Sequence, residues 1–106
     1  MKKYVTIAAL ALSLTTSAWA GGNAEAAKEK AKECAACHGA DGNSAVPSFP
    51  KLAGQNEDYL RFVLKQYRSK QRSNAIMNGQ AEKLTDQGIA DLAAYYAQQK
   101  GLQLKH

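Results

Sequence analysis

The sequence has little of what builds a large core or a disulfide scaffold. In 106 residues there are two cysteines, two prolines, two methionines and one tryptophan. Two cysteines exclude a multi-disulfide framework. Both prolines, Pro47 and Pro50, fall in one stretch, so no helix candidate elsewhere is interrupted by one. Acids are in deficit, with nine Asp+Glu against 14 Lys+Arg and a formal charge of +5. The longest apolar run, Val5 to Leu14, has ten residues, well short of the roughly 20 of a spanning helix. No stretch alternates with period two, so strands are not expected, and there is no repeat and no room for a second domain.

The first feature present is a leader. Lys2 and Lys3 precede the apolar run, and Ala18-Trp19-Ala20 fits the small-x-small cleavage rule. Residues 1–20 therefore read as a secretory signal peptide, which places residues 21–106 in the periplasm as one domain. Cleavage would remove two lysines and no acid, taking +5 to +3, and would leave Met77 as the only methionine. A domain of this size buries only about 60–65% of its unfolded surface and is marginal. Such scaffolds usually carry a staple: a disulfide, a metal or a cofactor.

Three helices are expected. Ala24 to about Cys34 is rich in Ala, Lys and Glu. Asn56 is a good N-cap, Glu57 and Asp58 suit the first turn, and Leu60, Val63, Leu64 and Tyr67 follow helical spacing to about Ser69. Thr85 caps a third helix whose stripe is Ile89, Leu92, Ala93 and Tyr96, ending near Gln99 with Gly101 as the closing glycine. Gly39–Gln55 reads as a long loop of several turns, and Lys70–Leu84, with Asn78-Gly79, as a second loop. Loops of about 15 residues in so small a domain usually carry function.

The chemistry is concentrated in Cys34-Ala35-Ala36-Cys37-His38. C-x-x-C-H is the attachment signature of a c-type haem. One helical turn puts residues i and i+3 on the same face, so both thiols can meet the two vinyl groups on one side of a porphyrin. His38 then stands next in the chain as proximal iron ligand. Three other readings compete. A dithiol redox motif needs a strand-and-helix fold. A zinc site needs four ligands, and Cys34, Cys37, His38 and His106 make a poor set. A Cys34–Cys37 disulfide would leave the thin core unexplained. A lone methionine is usually a core filler, but His plus Met commonly holds haem iron and raises its potential, and Met77 falls in a loop able to reach the far side of the porphyrin. A haem-ligating histidine donates its other N–H to a carbonyl or carboxylate. The Pro50 carbonyl, twelve residues after His38, is one candidate acceptor; shaping a turn is the equal alternative from spacing alone.

These residues resemble the class I c-type cytochromes in their small monohaem bacterial form, close to the cytochrome c-553 and c5-like group and to one half of the dihaem c4 type. The likeness runs through Cys34–Gly39, Pro47–Gln55, Met77 and Asp91–Tyr96. It implies an all-α, small cytochrome c fold: three main helices plus long loops wrapped around one covalently bound haem c. It implies thioethers at Cys34 and Cys37, His38 and Met77 as axial ligands, and Pro50 as acceptor of the His38 hydrogen bond. It also implies a crossing of the first and last helices with Ala26 or Ala27 near Tyr95.

The function that follows is electron transfer without a substrate, towards a terminal oxidase or reductase, and not an enzyme. A peroxidase or gas-binding protein would need an open sixth position and polar distal groups. Arg61, Lys65, Arg68, Lys70 and Arg72 cluster with no acid among them. They read either as a solvated helix face or as a patch steering an acidic redox partner. The expected state is a monomer with no membrane span after cleavage. No nucleic-acid motif is present.

Overall fold

The computed structural model describes residues 21–101. Residues 1–20, expected to be a leader, and His106 lie outside the described residues. Four helices follow in order: α1 (Ala24–His38), α2 (Glu57–Ser69), α3 (Ala75–Glu82) and α4 (Asp86–Ala97), with no strand among the described residues.

Side-chain caps start each helix. Asn23 Oδ1 accepts the backbone N–H groups of Glu25 and Ala26, Asn56 Oδ1 that of Tyr59, Asn74 Oδ1 that of Met77, and Thr85 Oγ1 that of Gly88. α1 outruns the expected end at Cys34 because Ala35, Ala36 and Cys37 offer nothing to stop it. It closes at Gly39, whose φ of 83° suits a residue without Cβ and whose N–H donates to Ala35 O at 3.0 Å. The C-x-x-C-H residues thus form the last turn of a continuous helix. α4 ends on Gln98 rather than Gly101.

α3 corrects the reading of Lys70–Leu84 as one loop. Asn78-Gly79 resembles a turn pair, yet it lies inside the helix, because Asn74 caps the segment and Ala75, Met77, Gln80 and Ala81 are good or tolerable helix formers. Met77 therefore stands in the first turn of a helix, not on a free loop.

α4 is the centre of the fold. It packs against α1 on one side and α2 on another, and α3 packs on α2. Gly88–Ala94 and Tyr96 are all buried, so burial extends well beyond the expected stripe. The wide Gly39–Gln55 loop closes over the C-terminal end of α4. Gly54 N–H donates to Tyr96 O at 2.9 Å, Tyr95 Oη to Ala40 O at 3.0 Å, and Asn43 Nδ2 to Lys100 O at 2.8 Å.

At the α1–α4 crossing Ala27, not the exposed Ala26, joins the core with Leu92, Ala93 and Tyr96, while Tyr95 packs at its edge. The chain just before α1 also touches α4. Asn23 N–H donates to the buried Asp91 Oδ1 at 2.7 Å, and a Cβ on Gly22 would collide with the Ala90 carbonyl. Backbone cannot yield as a flexible side chain does. Gly22→Ala is expected to cost about 1–3 kcal/mol, as overpacked sites do. Thermal unfolding of the haem-loaded protein checks this, with a Tm loss of roughly 4–8 °C per kcal/mol in a domain this small.

The buried apolar set is mostly alanine: Ala27, Ala31, Ala53, Ala81, Ala90, Ala93 and Ala94, beside Leu60, Ile89, Leu92 and Tyr96. Among the described residues only Ile89 and Leu92 are large and fully enclosed. Such a core is small for four helices, and the space it does not fill is the site.

Candidate functional site: a cavity behind the Cys-x-x-Cys-His turn

A cavity of about 560 Å³ opens between α1, α2, α3 and the 48–55 segment. Its size falls within the roughly 300–1,000 Å³ of cofactor pockets. Its wall is mainly apolar, with Leu52, Leu60, Val63, Leu64, Leu92 and Ala93 among the lining residues. Cys34, Cys37, His38, Pro50 and Met77, which come from α1, the loop and α3, all line this one cavity. A smaller space of about 200 Å³ adjoins it and shares Cys34, Leu64, Met77 and Leu92.

His38 is buried, and its Nδ1 lies 2.8 Å from Pro50 O. A carbonyl only accepts, so Nδ1 carries a proton, and in that tautomer of the neutral imidazole Nε2 is the nitrogen with the lone pair. Phe49 meets the same ring edge-on, at 6.4 Å between centroids. The Ser44 N–H donates to His38 O at 2.8 Å, so the loop also holds the backbone that positions the ring. This is the arrangement of a metal-ligating histidine with its supporting acceptor.

Cys34 and Cys37 are half-buried and not bonded to each other. Burial pushes the Cys34 thiol up, against the opposing pull of Tyr96. A redox dithiol calls for a lowered thiol instead. The Tyr96 hydroxyl is buried on the cavity wall without a hydrogen-bond partner, and burial and the neighbouring Cys34 raise its pKa. Among the described residues no group of three or more His, Cys, Asp or Glu side chains could hold a metal ion alone, and His106, the fourth ligand of the zinc reading, lies outside them. Two thiols a helical turn apart, an imidazole with one nitrogen already engaged and a thioether, around an apolar space, fit a haem c.

The basic cluster is less uniform than its sequence. The fold brings Asp86 of α4 against α2, where Arg68 pairs with it and also donates to Leu84 O at 3.2 Å. Arg61 stands 3.9 Å from Glu57. Arg72 lies over the Tyr67 ring at 5.6 Å, donates to Gln66 Oε1 and lines the cavity. Lys70 caps α2 with φ 67°. Of these five, Lys65, Lys70 and Arg72 have no ion-pair partner among the described residues, and Arg72 is engaged with Tyr67 and Gln66 instead.

The Arg68 hydrogen bond and charge hold the Asp86 carboxyl below its usual range. A depressed carboxyl stabilises the fold where it is ionised, and that contribution is lost as pH falls through the folded-state pKa. Asp86→Asn is therefore expected to lower stability slightly at neutral pH and to flatten its loss below about pH 4. Thermal melts between neutral pH and about pH 3 check this.

Two asparagines carry roles the sequence did not reveal. Asn74 caps α3, and Asn78 ties α3 to the end of α2, donating through Nδ2 to Tyr67 O at 2.8 Å and Arg72 O at 2.9 Å. A polar residue four after a cap was the only available signal.

The fold and cavity are those of a helical protein with room for a prosthetic group in its core. The cytochrome c family matches residues 24–100, and the chain belongs to that family. It is 48% identical over 100 residues to cytochrome c4 of Pseudomonas aeruginosa, covering 94% of this chain and 50% of that protein. It is 44% identical over 82 residues to cytochrome c-554(548) of Halomonas halodenitrificans, covering 74% of this chain and 99% of that one. The crystal structure of reduced recombinant cytochrome c4 from Pseudomonas stutzeri superposes with a TM-score of 0.72 at 43% identity, over 76% of this chain and 47% of the other. The chain thus spans about half the length of the cytochrome c4 relatives it matches. No described helix is long and apolar enough to cross a membrane.

Proposed function

We propose that this chain is a periplasmic one-electron carrier that holds a single haem c through Cys34 and Cys37, with His38 and Met77 as axial ligands of the iron. The observation that carries the reading is one cavity lined by all four side chains, with the His38 ring fixed by the Pro50 carbonyl at 2.8 Å. Haem c bound there supplies a one-electron Fe(III)/Fe(II) couple.

The chain's residues do the rest. Cys34 and Cys37 face one side of the cavity from one helical turn and anchor the ring by thioethers. The Pro50 carbonyl accepts a hydrogen bond from His38 Nδ1–H, which fixes the tautomer and would leave Nε2 for the iron. Met77 supplies a thioether from α3, a ligand pair that raises the potential. Leu60, Leu64 and Leu92 keep water from the ring and disfavour the ferric state with its extra charge. With His38 and Met77 both holding the iron, no position on it would remain for a substrate. Within the basic cluster, Lys65 and Lys70 are the cations left free among the described residues to steer an acidic redox partner. Delivery towards a terminal oxidase or reductase suits a positive potential, and the leader in residues 1–20 supports export.

Optical spectra of the chain expressed in a periplasm competent for haem attachment test the reading. The expected result is a low-spin haem whose reduced spectrum is unmoved by carbon monoxide at neutral pH. Rapid carbon monoxide binding would transfer the site to gas-binding or peroxidase chemistry.

A further inference from the structure

We propose that Asn78 is a positioning residue that keeps Met77 against the iron, an inference that rests on Met77 being the distal ligand. α3 is only eight residues long, and isolated helices of that length do not persist in water. It buries a single residue, Ala81, and α2 is the only helix it packs against. Its Lys83 cap reaches Glu33 of α1 only through an exposed pair at 3.9 Å, which adds little. Apolar burial therefore does not fix where its first turn stands.

The Asn78 side chain supplies what burial does not. Both Nδ2 hydrogens are used, one on Tyr67 O in the last turn of α2 and one on Arg72 O in the connection to α3. Its Oδ1 accepts the Asn74 N–H at 2.9 Å, and its own N–H donates to Asn74 O at 2.8 Å. Asn74 Oδ1 in turn accepts the Met77 N–H at 3.0 Å. One amide thus joins the end of α2, the cap of α3 and, through that cap, the Met77 backbone. α2 itself is packed on the buried α4, so the chain of contacts runs from the core to the ligand.

Only an amide meets all three demands. Asp is isosteric but loses both donors and sets a carboxylate against two carbonyls. Leu matches the shape and makes none of the bonds. Without these bonds the first turn of α3 swings away more often, and Met77 leaves the iron more often.

The test uses the haem-loaded protein and compares the parent with N78D, N78L, Met77→Ala and Asn23→Ala. The last removes the α1 cap, far along the chain from α3, and controls for general destabilisation. The readouts are the carbon monoxide binding rate of the ferrous protein at neutral pH and the sulfur-to-iron charge-transfer absorption of the ferric protein. N78D and N78L are expected to bind carbon monoxide about tenfold faster than the parent or more, as two lost hydrogen bonds imply, and to show a weakened sulfur band. Asn23→Ala is expected to leave both readouts at parent values. N78D, the isosteric variant, decides the matter where N78L fails to fold. Rates and sulfur band in N78D within twofold of a slow-binding parent would overturn the inference and leave the distal ligand standing. A parent that binds carbon monoxide as fast as Met77→Ala would overturn the ligand reading, and this inference with it.

Discussion

Replacing both Cys34 and Cys37 with alanine is expected to abolish haem that survives denaturation and to leave a chain that does not hold the native fold. The argument starts from the core. Among the described residues, seven of the buried apolar side chains are alanines, and only Ile89 and Leu92 are large and fully enclosed. Beside this core, with Leu60, Leu92, Ala93 and Tyr96 on its wall, stands a cavity of about 560 Å³. At about 24 cal/mol per Å³, an empty space of that size would cost about 13 kcal/mol, an upper bound for a cavity open to water. That bound matches the whole stability of a domain, about 5–15 kcal/mol. A prosthetic group filling that space would be the largest single component of the core, and thioethers to Cys34 and Cys37 would keep it there. Far-UV circular dichroism of the double variant is expected to show most helix lost. A variant with parent helicity and cooperative melting would show that the helices pack without the group.

The second large effect concerns Met77. Met77→Ala is expected to retain covalent haem, because the attachment residues lie on α1, and to open the distal position. The reduction potential is expected to fall by on the order of 0.1–0.3 V, within the roughly 0.8 V range that axial ligands span. The ferrous protein is expected to bind carbon monoxide during mixing. The two readouts separate causes: loss of Met77 as a mere wall residue would wet the cavity and shift the potential, but would not free a coordination position. A variant with parent potential and no carbon monoxide binding would remove Met77 from the iron and return it to packing.

The legibility of this fold follows the range of the interactions that make it. α2 and α4 were readable because Asn56 and Thr85 stand directly before acidic first turns, and those signals act within three residues. The grouping of Cys34, Cys37 and His38 was readable for the same reason, since they sit on one turn. α3 was not. Its neighbourhood is polar, Asn78-Gly79 looks like a turn, and the bonds that fix it reach back to Tyr67 and Arg72 on another element. The basic run on α2 looked acid-free because Asp86 lies eighteen residues beyond Arg68 and meets it only through folding. The all-round burial of α4 exceeds its stripe because α1, α2 and the 39–55 loop cover different sides of it, which no period in its own sequence could express. For the site, spacing indicated the reacting groups, whereas the cavity wall, with Leu64, Tyr67 and the unpartnered Tyr96 hydroxyl, depends on contacts distant in sequence.

The central claim is that Cys34 and Cys37 carry one haem covalently, and intact-protein mass spectrometry under denaturing conditions tests it most directly. Protein from a periplasm with haem-attachment machinery is predicted to weigh one haem more than the polypeptide, with the added mass confined to the peptide containing Cys34–His38. The bare polypeptide mass, with both thiols free to alkylate, would contradict the account.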